Sequence, residues 1–502
     1  MSIVIIGCAH ALTRWLTHRS RANHPPDTHS FTDHHPQHQK NSHHHQMTAG
    51  KPHNTARHRY PRYPRYTARR VPETLWLTYG LTRLAPLVGG LIVNAGASIV
   101  AEYAPMPARA RQAAHEFASA QGAEINQRAQ RVFFDEPGLD ALVIQAAARC
   151  STALTRLGRT YLRARIALHL DPRGVARHTL PLVPRGGYES LMATLLVTNT
   201  VLGRFRSGAV SVRHLDNNDI RRCGLHRREA PANLTDVCAD IDDVYLCDAP
   251  GAVIKITRLG NEGHRRWVVS IAGTAHIDYS TTQNPADSEA NIRETLGLPS
   301  GMREGVAMAL TDAMRRAGVT NISADPVMIA GHSQGGMVAL GLLDHDPQFR
   351  IYAVITLGTP GRRIRVPDNV LALSVEHDQD VIPAFDARPR RRIDNRVVAT
   401  RSLNRPARDA LYYAHSSTTY THTMQVIERR SLIESFSRQG RIVAQLRKFI
   451  TEVADEESHV SFYEIRQEVV EGSAVAVEHA VDFLADVVEA HVAPLPGTRK
   501  KG

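Results

Sequence analysis

The sequence predicts an α/β fold with an open, mostly parallel sheet that helices cover on both faces. Short, continuous apolar runs such as "PVMIAG", "IYAVITLG" and "NVLALSVE" are typical of strands that are buried on both sides. Amphipathic patterns of helical length, among them "GMREGVAMALTDAMRRAG", lie between strands. This alternation is what parallel strands joined by crossover helices require.

Composition is that of a globular protein large enough to bury a full core without disulfides or metal. The chain has 502 residues, of which 42% are hydrophobic and 22% charged. Its net charge of +12 is concentrated in residues 1–70, where eleven Lys/Arg stand against two Asp, a net of +9. The rest of the chain is therefore close to neutral, and its charge gives no case for specific nucleic-acid binding.

Residues 1–70 are predicted to be a disordered, His/Arg-rich tail. They contain "DHHPQHQKNSHHHQ" and the tandem "RYPRYPRY", and twelve of the 27 histidines. A His-rich tract binds metal only loosely because nothing fixes a coordination geometry, so no metal site is expected. The five cysteines form no CxxC pair; Cys223 and Cys238 could pair in an oxidising compartment, but free thiols are the favoured interpretation.

Residues 71–206 are predicted to be a helical module. "EFASAQGAEINQRAQRVF", "GLDALVIQAAARCSTALTRLGRTYLRARIAL" and "YESLMATLLVTNTVLGRF" repeat apolar residues at three- and four-residue spacing. The uncharged stretch 84–101 has about the minimum length to span a bilayer, but it contains Pro86, Asn94 and three glycines. A buried or membrane-surface helix is favoured over a signal or anchor segment, and the choice between them decides whether the protein is cytoplasmic or associated with the cell envelope.

Residues 207–455 carry the predicted sheet. "AVSVRHL" is a strand pattern, and "VYLCDAPGAVIKITRLGNEGHRRWVVSIAGT" indicates three strands separated by two turns. The helix and the three buried runs named above follow, with "GGMVALGLLDH" as the helix after the first run. Residues 456–502 are predicted to be a C-terminal helical extension and tail.

Ser333 lies in Gly331-His332-Ser333-Gln334-Gly335, a G-x-S-x-G pattern between a buried strand and an apolar helix. A serine can present its hydroxyl there only on a very tight turn, and residues two positions away crowd each other unless they are glycine. The helix N-terminus directs its free N–H groups toward the place where an oxyanion would form. The pattern alone is weak, but this context favours a nucleophile over a structural glycine-rich loop.

A nucleophilic serine needs a base and a carboxylate that orients the base, in the chain order Ser, Asp or Glu, His. "NVLALSVEHDQDVIPAFD" follows a later strand and offers four acids, of which Asp380 is chosen because it opens "DVIP". Asp378 is the runner-up, and the other acids are expected to be solvated.

The base is expected in the loop before a helix that begins near Thr419. This favours His415 over His422, which falls inside that helix. His332 is expected to face away from the site, and His377 to lie on the surface. The oxyanion hole is predicted from backbone N–H groups of Gln334 and of Thr274 or Ala275, which follow the strand "WVVSIAG".

These segments resemble a lipase-like family of actinobacterial α/β-hydrolases that is related in pattern to class 3 lipases. "WVVSIAGT", "QNPADSEANI", "DPVMIAGHSQGGMVA", "LSVEHDQDVIPAFD" and "HSSTTYTHTMQVIE" carry the resemblance over about half of the chain. It implies the α/β-hydrolase fold, Ser333 as nucleophile, Asp380 as acid and His415 as base. The spacing from His415 to Tyr420 and a helical module before the catalytic domain also fit the family.

The expected function is hydrolysis of carboxylic esters, with lipid esters among the candidate substrates, by a serine hydrolase that needs no cofactor. An acyltransferase or a thioesterase with the same three residues is the alternative, since the acceptor pocket decides between them. A different class is an inactive, membrane-associated protein on the same fold. The expected partner is a small ester or lipid substrate.

Overall fold

The computed structural model describes residues 107–171, 187–277, 280–345, 348–386, 396–406, 409–451 and 457–470, and singly Thr82, Pro86 and Arg177. The predicted tail 1–70 lies outside these residues, and so does the segment 84–101 apart from Pro86. Across the described ranges, no helix is both long enough and apolar enough to cross a bilayer.

One mixed sheet of eight strands organises the described chain, in the order β1-β8-β2-β3-β4-β5-β6-β7. The strands from β3 to β7 are parallel, whereas β1, β8, β2 and β3 pair antiparallel. The strands are β1 (Ser207–His214), β2 (Ala252–Leu259), β3 (Arg266–Ile271), β4 (Pro326–His332), β5 (Arg350–Leu357), β6 (Leu371–His377), β7 (Val397–Arg401) and β8 (His459–Val469). The α/β class with a largely parallel sheet is therefore confirmed.

Helices precede the sheet and lie between its strands. They are α1 (Ala108–Asp135), α2 (Leu139–Ala167), α3 (Gly187–Val201), α4 (Asn217–Arg222), α5 (Leu234–Tyr245), α6 (Ser288–Leu296), α7 (Gly301–Arg316), α8 (Gln334–His345), α9 (Ala410–His415), α10 (Ser417–Ile433) and α11 (Arg438–Thr451). A short 3-10 helix spans Ile382–Asp386. The three helical patterns predicted before residue 206 correspond to α1, α2 and α3.

Both faces of the sheet are covered, and β4 shows how one strand serves two cores. Val327 and Ile329 belong to the apolar cluster beneath α6, α7 and α8. Met328 and Ala330 belong to the cluster beneath α5, α10 and α11. Side chains alternate between the faces of a strand, so a strand covered on both sides must be apolar at every position.

The predicted C-terminal helical extension is wrong for 459–469, which form β8 between β1 and β2. Its run "HVSFYEIRQEV" is rich in residues that favour strands. Antiparallel pairing on both sides satisfies its backbone groups, and Phe462, Tyr463 and Ile465 are buried. The sheet thus extends beyond the predicted domain end at residue 455.

The predicted strand at "VYLC" is also wrong, because its first two residues end helix α5. Leu234, Val237 and Ile241 repeat at helical spacing and are fully buried against the sheet. The Asn233 side chain accepts a hydrogen bond from the backbone N–H of Asp236 and caps the helix at its start. Burial of one helical face decides the structure of this segment.

The helical module packs against the segments that carry the predicted acid and base. Phe134, at the end of α1, shares an apolar cluster with Leu411 and Ala414 of α9, and Phe133 and Val381 pack against that cluster. Helix α2 contacts the 3-10 helix that follows residue 381. Cys223 and Cys238 are free thiols in two separate clusters, so the pairing considered from the sequence is not formed.

Candidate active site

Ser333 lies on the sharp turn between β4 and α8. Its backbone φ is +52°, a left-handed conformation that residues other than glycine rarely adopt. The Ser333 N–H donates to the carbonyl of Leu357 on the neighbouring strand at 2.8 Å. Since packing and this bond hold the turn, the strained residue stays in place and its side chain remains partly exposed.

The glycines of the motif are required by close backbone approach. A Cβ on Gly331 would lie 2.2 Å from the carbonyl carbon and oxygen of Gly335. A Cβ on Gly335 would lie 2.4 Å from the carbonyl oxygen of Ala272, and one on Gly336 would lie 2.0 Å from Oγ1 of Thr359. Real Cβ atoms do not approach other atoms this closely, so the crowding inferred from the sequence is present.

The structure brings the three predicted catalytic side chains into one hydrogen-bonded row. Nε2 of His415 lies 3.0 Å from Oγ of Ser333. Nδ1 of His415 lies 2.8 Å from Oδ2 of Asp380. His415 is the last residue of α9, whereas the sequence had placed it in a loop, and α10 begins two residues later.

Asp380 is fully buried, yet it is held ionised by its partners. Burial raises the pKa of its carboxyl, but the charge and hydrogen bond of His415 and the hydrogen bonds from Tyr420 and the Ile382 N–H outweigh that effect. The Tyr420 hydroxyl donates to Oδ2 at 2.6 Å, and the Ile382 N–H donates to Oδ1 at 2.9 Å. The net pKa of Asp380 lies below its ordinary value, so its carboxylate is charged at neutral pH.

The oxyanion donors predicted from the sequence are only partly available. The Ala275 N–H is not available as an oxyanion donor, because it already donates to the carbonyl of Ala286 at 2.8 Å. The preceding Gly273 N–H donates to the Tyr245 hydroxyl at 2.6 Å. Between these two fixed groups, the Thr274 N–H donates to no other residue in the described ranges.

Gln334 is the second predicted donor. Its N–H is the first of α8, and the first N–H groups of a helix have no intrahelical acceptor. Asn291 links the two donor residues through their side chains. Its Oδ1 accepts from Nε2 of Gln334 at 3.0 Å, and its Nδ2 donates to Oγ1 of Thr274 at 3.0 Å.

The acids that were not chosen have different surroundings from those expected. Glu376 and Asp386 are buried rather than solvated, because Arg362 forms ion pairs with both. Asp378, the runner-up, accepts a hydrogen bond from the Ser402 hydroxyl and does not contact His415. Among these carboxylates only Asp380 reaches the base.

The other histidines also differ in part from expectation. His422 is exposed on α10, inside the helix as predicted. His377 was expected on the surface, but it is fully buried, because its ring stacks on Tyr420 and its Nδ1 donates to the carbonyl of Ala414 at 2.6 Å. His332 is buried behind the nucleophile, and its Nε2 lies 2.8 Å from the carbonyl oxygen of His415.

Sequence reasoning assigned no role to Tyr245, Asn291 or Tyr420, which hold the site together. Tyr420 is the only one with a usable signal, since its five-residue distance from His415 places it one turn into the following helix. Tyr245 and Asn291 reach the site from α5 and α6, far from the motif in sequence.

Comparison with protein families, curated proteins and solved structures finds no match for this chain.

Proposed function

We propose that this protein is a serine hydrolase of the α/β-hydrolase fold that cleaves carboxylic esters. The observation that carries the proposal is the row Ser333–His415–Asp380, with distances of 3.0 and 2.8 Å. A neutral imidazole between a hydroxyl and a buried carboxylate is the arrangement that makes serine nucleophilic.

Acylation begins when Oγ of Ser333 attacks the ester carbonyl. Nε2 of His415 accepts the hydroxyl proton, and the Asp380 carboxylate stabilises the imidazolium that forms. Asp380 also fixes the tautomer, because its carboxylate accepts a hydrogen bond from the Nδ1–H and so leaves the lone pair of Nε2 facing Ser333. His415 then donates its proton to the departing alkoxide, and an acyl-serine remains.

The tetrahedral intermediate places a negative charge on the former carbonyl oxygen. The N–H groups of Gln334 and Thr274 stabilise that charge, and the N-terminus of α8 adds its dipole. Water then attacks the acyl-serine with His415 as base, which releases the carboxylic acid. Because Ser333 and His415 are both partly exposed, substrate and water reach the same reacting atoms.

A fluorophosphonate probe tests the nucleophile directly, because it reacts with an activated serine regardless of the natural substrate. The wild-type protein is expected to take one label, and Ser333→Ala to take none. Ser416→Ala is the matched control, since that hydroxyl lies beside His415 but does not cap the following helix. It should still be labelled.

Turnover of p-nitrophenyl esters of increasing acyl length then defines the substrate. Wild-type protein is expected to hydrolyse them, and Ser333→Ala to lose at least about a thousandfold in kcat/KM, in line with the loss of a nucleophile. Wild-type protein that takes no label and releases no p-nitrophenol would refute the proposal. Equal labelling of Ser333→Ala would refute the assignment of the nucleophile.

A further inference from the structure

A second chain of hydrogen bonds runs behind the proposed nucleophile and does not touch its hydroxyl. The Gly273 N–H donates to Oη of Tyr245 at 2.6 Å. Oη of Tyr245 lies 2.7 Å from Nδ1 of His332, and Nε2 of His332 lies 2.8 Å from the carbonyl oxygen of His415. The chain thus starts at the loop of the oxyanion hole and ends at the backbone of the base.

The direction of each bond follows from the chemistry of its groups. A carbonyl oxygen only accepts, so Nε2 of His332 carries a proton and donates it to His415. Burial holds the pKa of His332 well below its ordinary value, and a positive charge on His415 lowers it further, so the ring is neutral. Nδ1 then has a free lone pair, and the Tyr245 hydroxyl donates to it.

Tyr245 is suited to this central position because it remains a phenol. Burial raises its pKa above the ordinary value, so its one proton is available to His332. Its oxygen accepts the Gly273 N–H at the same time. A Cβ on Gly273 would lie 2.2 Å from Oη of Tyr245 and 2.8 Å from Cβ of Ser333, so the loop lies in close contact with both tyrosine and nucleophile.

We infer that Tyr245 and His332 are positioning residues that lock the oxyanion loop and the His415 backbone to each other in the geometry of the transition state. Thr274 lies between Gly273 and Ala275, whose N–H groups are held by hydrogen bonds to Tyr245 and Ala286, and these two bonds set the direction of the Thr274 N–H. The His332 ring also lies against the His415 ring, with centroids 4.6 Å apart. This inference rests on the proposed function.

Neutrality of His332 has a consequence for the reaction itself. When His415 takes the Ser333 proton, the ring beside it must not carry a second positive charge. A neutral His332 avoids that repulsion and still donates its N–H to the His415 carbonyl. Both properties require the hydrogen-bonded, buried setting that Tyr245 completes.

The test is the variant Tyr245→Phe, which removes one oxygen and leaves the ring in place. The expected result is a fall in kcat of roughly tenfold or more, with KM within about twofold, because the loss concerns oxyanion stabilisation rather than substrate binding. The affinity of a trifluoromethyl ketone, which forms a tetrahedral oxyanion on the serine, should fall by the same factor as kcat/KM. A general loosening of the fold would change KM as well.

Tyr463→Phe is the matched control, since its hydroxyl donates to Asp312 of α7 at 3.0 Å and takes no part in the hydrogen-bond chain behind Ser333. It should keep wild-type kcat and inhibitor affinity. The pair His332→Gln and His332→Leu gives a second test if Tyr245→Phe does not fold. Glutamine keeps an N–H donor for the His415 carbonyl and should retain at least about tenfold more kcat than leucine.

Wild-type kcat and wild-type inhibitor affinity in Tyr245→Phe would overturn the inference, and so would equal kcat in the two His332 variants. Failure of the proposed function is distinguishable, because fluorophosphonate labelling of the wild-type protein is measured in the same series. Absence of label in wild type refutes the proposed function. Labelled wild type with unaffected Tyr245→Phe refutes only the positioning role.

Discussion

Three histidines meet behind and beside Ser333, and burial separates their behaviour. His415 is partly exposed and lies between the serine and the carboxylate, where a proton can be exchanged. His332 and His377 are buried, and their imidazole groups donate to the backbone carbonyls of His415 and Ala414. The position of His415 fits the proton transfer proposed for it, whereas His332 and His377 hold the backbone at His415 and Ala414 through hydrogen bonds.

Burial lowers the pKa of His377 to about 4, so acid should destabilise the protein through this residue. The folded pKa lies below the ordinary 6.5 of an unfolded chain, so the unfolded state binds more protons between these values. The contribution of His377 is complete above pH 6.5 and is lost as the pH falls toward 4. It amounts to about 3 kcal/mol of the free energy of unfolding.

Urea unfolding at several pH values between 4.5 and 7.5 measures this effect. His377→Asn keeps an N–H donor near the Ala414 carbonyl but cannot titrate, so its stability should depend less steeply on pH than that of the wild type. His422→Asn changes an exposed histidine and should keep the wild-type slope. An unchanged slope in His377→Asn would contradict the assignment.

The strand–turn–helix unit around Ser333 requires close contact between the backbone of helix α8 and the backbone at the end of strand β3. Gly335 is a residue of α8, yet a Cβ there would meet the carbonyl oxygens of Ala272 and Ile271 at 2.4 and 2.5 Å. The contact is with the strand–loop junction that precedes Thr274. Ser333 and the loop that carries Thr274, the proposed nucleophile and oxyanion donor, therefore share one close-packed junction between α8 and the end of β3.

Gly335→Ala should lower the free energy of unfolding by about 2 kcal/mol or more, because backbone must shift to admit the methyl group. It should also abolish fluorophosphonate labelling. Gly158→Ala is the matched control, since this glycine lies inside α2 with nothing within 4 Å of its added Cβ. Alanine there should stabilise the protein by about 0.5–1 kcal/mol. Equal stability of the two variants in urea unfolding would contradict this account.

In the molecule as a whole, β8 joins the last described residues to the first strand of the sheet. It pairs with β1 on one side and with β2 on the other. Strands that are far apart in the chain are therefore neighbours in this part of the sheet. Tyr463 and Ile465 belong to the apolar cluster that lies between the sheet and the helices α6, α7 and α8. The antiparallel half of the sheet therefore depends on the last described strand.

A chain that ends at residue 455 should not fold, because β1 would lose its sheet partner and β2 one of its two partners. A chain that ends at residue 470 keeps every described strand and should fold with wild-type labelling by the fluorophosphonate. Soluble yield, circular dichroism and thermal unfolding of the two truncations test the difference. A folded, labelled 455-residue chain would show that β8 is dispensable.

Local patterns predicted the parallel half of the sheet because those signals lie within a few residues. β4 and β6 are continuous apolar runs, and the glycines around Ser333 are adjacent in sequence, so neighbouring residues alone indicate a strained turn after a buried strand. The choice of Asp380 and His415 also used the chain order Ser, Asp or Glu, His that is typical of hydrolases with this strand–turn–helix motif. Those three side chains meet in the structure, although their catalytic roles remain a proposal.

The sequence by itself determined the α/β class, the turn at Ser333 and the candidates for base and acid, because strand periodicity, helix periodicity and glycine sterics are local. Only the tertiary structure decided that β8 lies between β1 and β2, that the Ala275 N–H is occupied and that His377 is buried. Each of these depends on a partner distant in the chain: β1 and β2, Ala286, and Tyr420. Pairing between distant residues is set by packing and by the satisfaction of buried polar groups, which no short stretch of sequence contains.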